Sequence, residues 1–328
     1  MARLLGIFVL LVALYGLLYY ANPNALSGDN LLPVALWQGY FLILTLGVSV
    51  LIISGGIDLS IGSVVGLTAV LFSVFCLKGM PPWLAFVAVL FVGAAIGLLN
   101  GLLVTWLRLQ PFLVTLCGLF AYRGLARFFS DDKTVKLKQL EETLPADWLP
   151  QLDFFSWLTV GNLELFGIQL PVLFVFALGL TVVMAGFLHG SVHGRYLFAI
   201  GGNEEAARYA GVPTVRYKIL AYVICSTLAA LGGVLSFFHI ETIEPASSGE
   251  FYELYAITGA VLGGCSLRGG DGNALGVVLG ASVLPVLRNM TVWLKAVPVT
   301  LQYTIIGVVL LLGTIADELF KRRANRRG

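Results

Sequence analysis

Apolar residues fill long blocks along the chain, and short polar connections separate them. Blocks close to the ~20 residues that cross a bilayer as helix predict ten helices, at about 3–21, 35–54, 61–77, 83–107, 111–129, 170–188, 217–238, 251–267, 273–290 and 297–316. The first block, Leu4 to Tyr20 behind Arg3, is long for a signal-peptide core and no small-x-small cleavage pattern follows it, so it is expected to stay as the first helix.

Two stretches break this pattern. One, Gly194 to Pro213 (GRYLFAIGGNEEAARYAGVP), is a polar helix-like segment between very apolar ones. Asn203 suits an N-cap, Glu204 and Glu205 place negative charge on the first turn, Gly211 suits a left-handed C-terminal position, and Pro213 forbids continuation. The expected helix has about two turns and a length of ~12 Å. The other stretch, Ser130 to Gln169, is too long for a plain connection. Its Gly161-Asn162 turn signal suggests a small cap of short helix and hairpin, beside the plainer reading of a partly ordered polar loop.

Charge then assigns sides. Ten spans leave both termini on one side, and the tail cations Lys321, Arg322, Arg323, Arg326 and Arg327 identify that side as cytoplasmic. Arg3, Arg108, Arg195, Arg208, Arg216, Lys218 and Arg268 fall there too, with a loop at 189–217, while the acid-rich 130–169 segment falls outside. Composition agrees: 58% of the residues are hydrophobic and 12% charged, against roughly 45–50% and about 25% in soluble domains. With a mean hydropathy of +0.91, the chain reads as an all-α polytopic membrane protein, one transmembrane domain over 1–328. A net charge of +2 gives no argument for nucleic acid as a partner; the lipid bilayer is the expected one.

Helix packing leaves a trace in glycine spacing. Gly93, Gly97 and Gly101, and Gly272, Gly276 and Gly280, repeat every four residues, with Gly62/Gly66 and Gly259/Gly263 as single pairs. Such stripes let backbones approach closely, and packing without further function is the first reading of each. Cys76, Cys117, Cys225 and Cys265 lack metal or redox spacing and read as small core residues.

The segment Gly55-Gly56-Ile57-Asp58-Leu59-Ser60-Ile61-Gly62 lies between two apolar runs, each a little short for a span. It reads equally as a tight cytoplasmic turn with Asp58 in water, or as a broken helix with Asp58 inside the membrane and lining a pathway. Gly263-Gly264-Cys265-Ser266-Leu267-Arg268-Gly269-Gly270 echoes it as Gly-Gly-x-x-Leu-x-x-Gly. Catalytic signatures are missing: there is no phosphate-binding loop, no His-Glu-x-x-His and no Gly-x-Ser-x-Gly. His189 and His193, four apart, read as helix-end residues, and no metal site is expected. Arg123 and Arg127 read first as snorkelling to the external interface, with an inward-facing Arg123 as the alternative. Glu241, Glu244, Glu250 and Glu253 read first as a solvated loop and second as a polar entrance.

Taken together, GGIDLSIG (55–62), PFLVTLCGLFAYRG (111–124), GRYLFAIGGNEEAARYAG (194–211) and ELYAITGAVLGGCSLRGGDG (253–272), in this order, resemble the permease subunits of bacterial ribose/galactose-type ABC importers, over about 35–316. The resemblance implies a permease fold in the bacterial inner membrane, forming the path for a monosaccharide or similar small polar solute delivered by a periplasmic sugar-binding protein. It implies a dimer with a second permease copy or a paralogue, and a cytoplasmic ATPase subunit that holds ATP and Mg, so that this chain is no enzyme and binds no cofactor itself. Gly201, Gly202, Asn203, Glu204, Glu205, Ala206, Ala207, Arg208 and Gly211 would then couple to the ATPase. Gly55, Gly56, Asp58, Ser60, Phe112, Thr115, Gly263 and Gly264 would be candidates for the translocation path, and the broken-helix reading of Asp58 gains. The alternative is an ion-coupled secondary transporter in which Asp58 relays a proton or sodium ion.

Overall fold

A computed structural model of the chain describes residues 2–165 and 167–293, with isolated positions at Leu301, Thr304, Gly307, Val308, Leu311 and Ile315. The tenth expected helix and the basic tail lie outside the described residues apart from those positions.

The described part is a helix bundle. Seven helices are long and apolar enough to cross a membrane: α1 (Ala2–Ala21), α2 (Gly28–Ile53), α4 (Pro82–Thr105), α5 (Pro111–Phe129), α8 (Val172–Ala185, extended by a π turn over Gly186–Gly190), α11 (Thr214–Ile240) and α13 (Ala274–Trp293). Two more apolar helices are shorter, α3 (Ile61–Leu77) and α12 (Tyr252–Leu262). α12 falls well short of the expected 251–267, because Gly263 and the left-handed Gly264 (φ 94°) end it.

α2 is the central helix. Every residue from Gly39 to Ile53 is buried, the pattern of a helix enclosed on all sides, and α8, α11, α12 and α13 surround it. α1 lies on the outside of α13, with Ile7, Leu11, Leu14 and Leu18 on its buried face. At one end of the bundle Asn30 and Asn289 exchange hydrogen bonds of 3.1 and 2.9 Å, and the Trp293 indole donates to Asn30 Oδ1 at 2.8 Å, tying α2 to α13.

The glycine stripes do what their spacing suggests, with one exception. Gly93, Gly97 and Gly101 lay α4 directly on α11, where added Cβ atoms would strike Ser226 O, the Tyr222 and Val223 backbone and Ile219. Gly276 and Gly280 of α13 pack against Gly259 and Gly263 of α12, while Gly272 precedes α13. Gly62 and Gly66 bring no second helix backbone close; they receive the backbone of Ser248 and Gly249, with the Glu253 carboxylate beside Gly62 and the Arg123 guanidinium beside Gly66.

The 130–171 stretch is an ordered cap: β1 (Val135–Lys136), α6 (Leu137–Thr143), α7 (Leu149–Val160), and the hairpin of β2 (Asn162–Leu165) and β3 (Ile168–Pro171). The tight turn lies at Gly167 (φ 77°) and not at Gly161-Asn162, which instead ends α7 and starts β2. Phe155 of α7 stacks on Phe238 of α11 at 5.3 Å, docking the cap onto the bundle. β1 pairs antiparallel with β4 (Thr242–Ile243), which directly follows α11. This defines the cap end. The opposite end carries α9 (Val192–Gly202), α10 (Glu204–Tyr209) and the 263–273 connection.

Cys76, Cys225 and Cys265 are buried, but Cys117 is exposed on α5, against its reading as a core residue. His189 and His193 do not share a face. The π turn and the Ser191 cap separate them; His193 Nδ1 lies 2.9 Å from Tyr217 Oη, and His189 Nε2 accepts from Ala274 N at 3.4 Å.

Candidate functional site

The segment after α2 does not turn back into water. α2 ends at Ile53 with Ser54 and the left-handed Gly55 (φ 81°), and the chain then continues without helix, buried at Asp58 and Ser60, until α3 begins at Ile61. Asp58 and Ser60 are 1% and 0% exposed, so the solvated-turn reading of Asp58 is replaced by the buried one. Asp58 Oδ1 accepts from Ser60 N at 2.7 Å and Ser60 Oγ at 2.6 Å, a local turn that aims the next N–H groups along α3. Asn100 Nδ2 donates to Ser60 Oγ at 3.3 Å, Tyr122 Oη donates to Asn100 Oδ1 at 2.8 Å, and Tyr222 Oη donates to Ile57 O at 3.2 Å. Thus α4, α5 and α11 each contribute one polar side chain to the break.

The depth of this cluster follows from helix rise. Asn100 lies five residues before the end of α4 and Tyr222 eight residues after the start of α11, which places the cluster about 8–12 Å inside the opposite end at 1.5 Å per residue. The Asn100 amide sits beside the Asp58 carboxylate, yet its donated bond goes to Ser60, and by geometry Oδ2 has no hydrogen-bond partner among the described residues.

A second broken element meets the first. After α11 the chain crosses the cap end through β4 and a compact turn at 244–250, and only then starts α12, whose 11 residues span about 16 Å. The first turns of α3 and α12 come together where Gly62 touches Gly249 O and the Glu253 carboxylate. Two helix N-termini, each carrying partial positive charge, therefore converge inside the bundle with Asp58 and Glu253 as their acids. Glu253 is 8% exposed, whereas Glu241, Glu244 and Glu250 are exposed; the solvated reading holds for those three and fails for Glu253. Arg123 turns inward and its guanidinium donates to Ser248 O, while Arg127 stays outside and pairs with Asp132 at 2.7 Å. That bond holds the Asp132 carboxyl below its ordinary value.

The other residues singled out on α5 and α12 fall differently. Thr115 is buried and bonds its own helix at Pro111 O (2.9 Å), close to Gly118, which faces Ser60. Phe112 is 55% exposed on the outside of α5. Gly263 packs on Gly276, and Gly264 serves the turn that ends α12. Gly56 lies over Leu51 in the turn that ends α2. Sequence reasoning missed Asn100, Tyr122 and Tyr222. Asn100 could have been found as a lone amide in a 24-residue apolar helix.

At the opposite end Asn203 caps α10, its Oδ1 accepting from Ala206 N at 3.0 Å. α10 has six residues, shorter than the two turns expected, because Gly211 (φ 84°) and Val212 close it with bonds to Arg208 O and Ala207 O. Gly201 and Gly202 belong to the end of α9. Gly201 is the contact point: a Cβ there would strike Ile53 O and Gly270 N, and Gly270 N donates to Ile53 O at 2.9 Å. Gly55 also lies beside Gly201. Glu204 pairs with Lys218, and Glu205 with Arg208 at 4.0 Å. Ala207 is buried, while Tyr209 is 85% exposed.

The family model described as branched-chain amino acid transport system / permease component matches residues 30–313. The chain is similar to the ribose import permease protein RbsC of Escherichia coli strain K12, at 31% identity over 94% of this chain and 92% of that one. It is similar to a probable ABC transporter permease protein of Sinorhizobium fredii, at 34% identity over 97% and 89%, and to the fructose import permease protein FruG of Bifidobacterium longum, at 32% over 86% and 80%. No solved structure matches.

Proposed function

The chain belongs to the branched-chain amino acid transport system / permease component family, and from that membership we propose that it is the permease subunit of an ATP-binding-cassette importer for a monosaccharide. It is a transport subunit of the inner membrane and not an enzyme; relatives named as ribose and fructose import permeases support the sugar class. The finer topology completes the reading: the cap end is external, and the opposite end, with Arg108, Arg195, Arg208, Arg216 and Arg268, is cytoplasmic. A periplasmic sugar-binding protein docks on the cap end, and a cytoplasmic ATPase carrying ATP and Mg takes α10 into a groove. The path is completed by a second permease copy or paralogue.

The observation that carries this reading is the contact of Gly201 with Ile53 O and Gly270 N. It joins the α9–α10 unit, where an ATPase would push, to the end of α2, where the buried Asp58 segment starts. Nucleotide binding on the partner then shifts the population between outward- and inward-open states through a rigid contact. The Asp58 cluster, with Ser60, Asn100, Tyr122 and Tyr222, offers acceptors and donors to sugar hydroxyls. The ion-coupled alternative is left without support by the relatives' names.

The test is reversal of the exposed pair, Glu205→Lys with Arg208→Glu, which leaves the Asn203 cap and the Glu204–Lys218 pair in place. ATPase co-purification and sugar uptake are expected to fall together while the melting temperature of the permease stays unchanged. Full uptake with that surface reversed would overturn the assignment of α10.

A further inference from the structure

The stretch from Glu244 to Phe251 has two unlike faces. Glu244, Ala246, Ser247 and Glu250 are exposed, while Pro245 and Gly249 are buried. It is folded on itself: Ser247 N and Ser248 N donate to Glu244 O at 3.1 and 2.8 Å, and Ser248 Oγ accepts from Glu244 N at 2.9 Å. Glu241 (φ 59°), Gly249 (φ 79°) and Phe251 (φ 64°) are left-handed, so the chain reverses sharply before and after it. Its inner face lies on Gly62 and Gly66, a glycine pair whose space is taken by a turn of backbone. Neither glycine accepts a Cβ, since Gly249 O, the Glu253 carboxylate and Ser248 O occupy that space.

A side chain from another helix also holds it. Arg123, on α5, sends its guanidinium to Ser248 O, with Glu250 and Glu253 as acidic neighbours. A charge-assisted bond to a single carbonyl is strong where water is scarce, and it is separable: the compact turn keeps its own internal bonds when Arg123 lets go. On the other side, β4 just before the turn is paired with β1 of the cap through Val135↔Ile243 and Lys136↔Thr242, and Leu137 N donates to Glu241 O at 2.9 Å.

We propose that 244–251 is a lid closing the cap side of the route over the start of α3, and that Arg123 is the positioning residue that latches it. The proposal rests on the transport reading for what the lid opens to, but its closure is a property of this chain alone. Docking at the cap would reach the lid through the β1–β4 pair, releasing Arg123 and uncovering Gly62 and the segment around Asp58. The exposed acids move with the lid and stay in water throughout.

The experiment uses the assembled transporter in proteoliposomes, with the four native cysteines replaced and Ser63→Cys, next in sequence to the covered Gly62, as the reporter. Ser63 is fully buried, so a membrane-impermeant thiol reagent added from the cap side should label it slowly. Arg123→Met should raise the labelling rate by roughly tenfold, the shift expected for loss of one charge-assisted bond, and Arg123→Lys should restore most of the closure. Equal rates for the parent and Arg123→Met, or parent labelling as fast as at an exposed control position, would overturn the lid. If Arg123→Met does not assemble, Arg123 is kept and labelling of Ser63→Cys is read with and without the docked periplasmic binding protein; docking should raise the rate, and an unchanged rate would overturn the lid. Labelling reports on closure even without sugar, so a working lid in a permease whose uptake ignores Asp58→Asn would refute the route and spare the lid.

Discussion

At the scale of single residues, Asp58 shows how an acid inside a membrane bundle is kept. Its Oδ1 closes a turn onto Ser60 N and Oγ, and Ser60 Oγ in turn receives Asn100 from α4. Asn at position 58 retains the Oδ1 acceptor, so Asp58→Asn is expected to fold with an unchanged or slightly higher melting temperature. It removes the charge that sugar hydroxyls would meet. Uptake should fall by roughly ten- to a hundredfold, the value of about 1.5–3 kcal/mol for a hydrogen bond to a charged group; unchanged uptake would remove the Asp58 charge from the path. Tyr209 stands apart from the polar residues that composition drew attention to. An aromatic ring 85% exposed at the last position of a six-residue helix is left uncovered by the described residues, and such rings are common anchors at interfaces. Tyr209→Ala should weaken ATPase association by about 2 kcal/mol, roughly 30-fold, read as partner binding in detergent, with uptake falling in step.

Elements explain what the chain's pattern did and did not disclose. The positions of α1, α2, α4, α5, α11 and α13 were legible because a bilayer demands a long apolar run, and the α4 stripe was legible because only glycine permits such close approach to the α11 backbone. The fate of GGIDLSIG was not legible: two glycines followed by Asp and Ser cap a surface turn as readily as they let an irregular segment stay inside a bundle, and the difference lies in Asn100, Tyr122 and Tyr222, which belong to three other helices. Gly62 and Gly66 likewise looked like a helix stripe, and only the tertiary fold seats a turn of backbone there. Gly62→Ala therefore tests the element in a way that Gly→Ala inside a helix ordinarily would not. Helix propensity favours Ala by about 1 kcal/mol, whereas the Cβ collides with Gly249 O and the Glu253 carboxylate. Overpacking against backbone should win, for a net loss of ~2 kcal/mol, seen as a lower melting temperature; a gain in stability would mean that Ser248 and Gly249 do not rest on α3.

For the whole molecule, the described contacts form a continuous line from one end to the other. α10 follows α9, Gly201 of α9 rests on Ile53 O and Gly270 N, the non-helical 54–60 segment leads to α3, and α3 carries the 244–251 turn that β4 ties to the cap. On the importer reading, force from an ATPase enters at the first link and the signal from a docked binding protein at the last. Gly201→Ala tests whether the line transmits. Its Cβ would press on Ile53 O and Gly270 N while leaving the Asn203 cap and every surface residue of α10 unchanged, so the ATPase should still bind and hydrolyse ATP. What should change is the ratio: uptake per ATP is expected to drop by roughly tenfold, equivalent to about 1.4 kcal/mol of lost coupling. This is measured in proteoliposomes with binding protein and ATP supplied and ion gradients collapsed, where the unaltered transporter should import at its full rate. Hydrolysis and uptake declining in equal proportion would place the defect in assembly, and loss of uptake by the unaltered transporter under collapsed gradients would return the energy source to an ion.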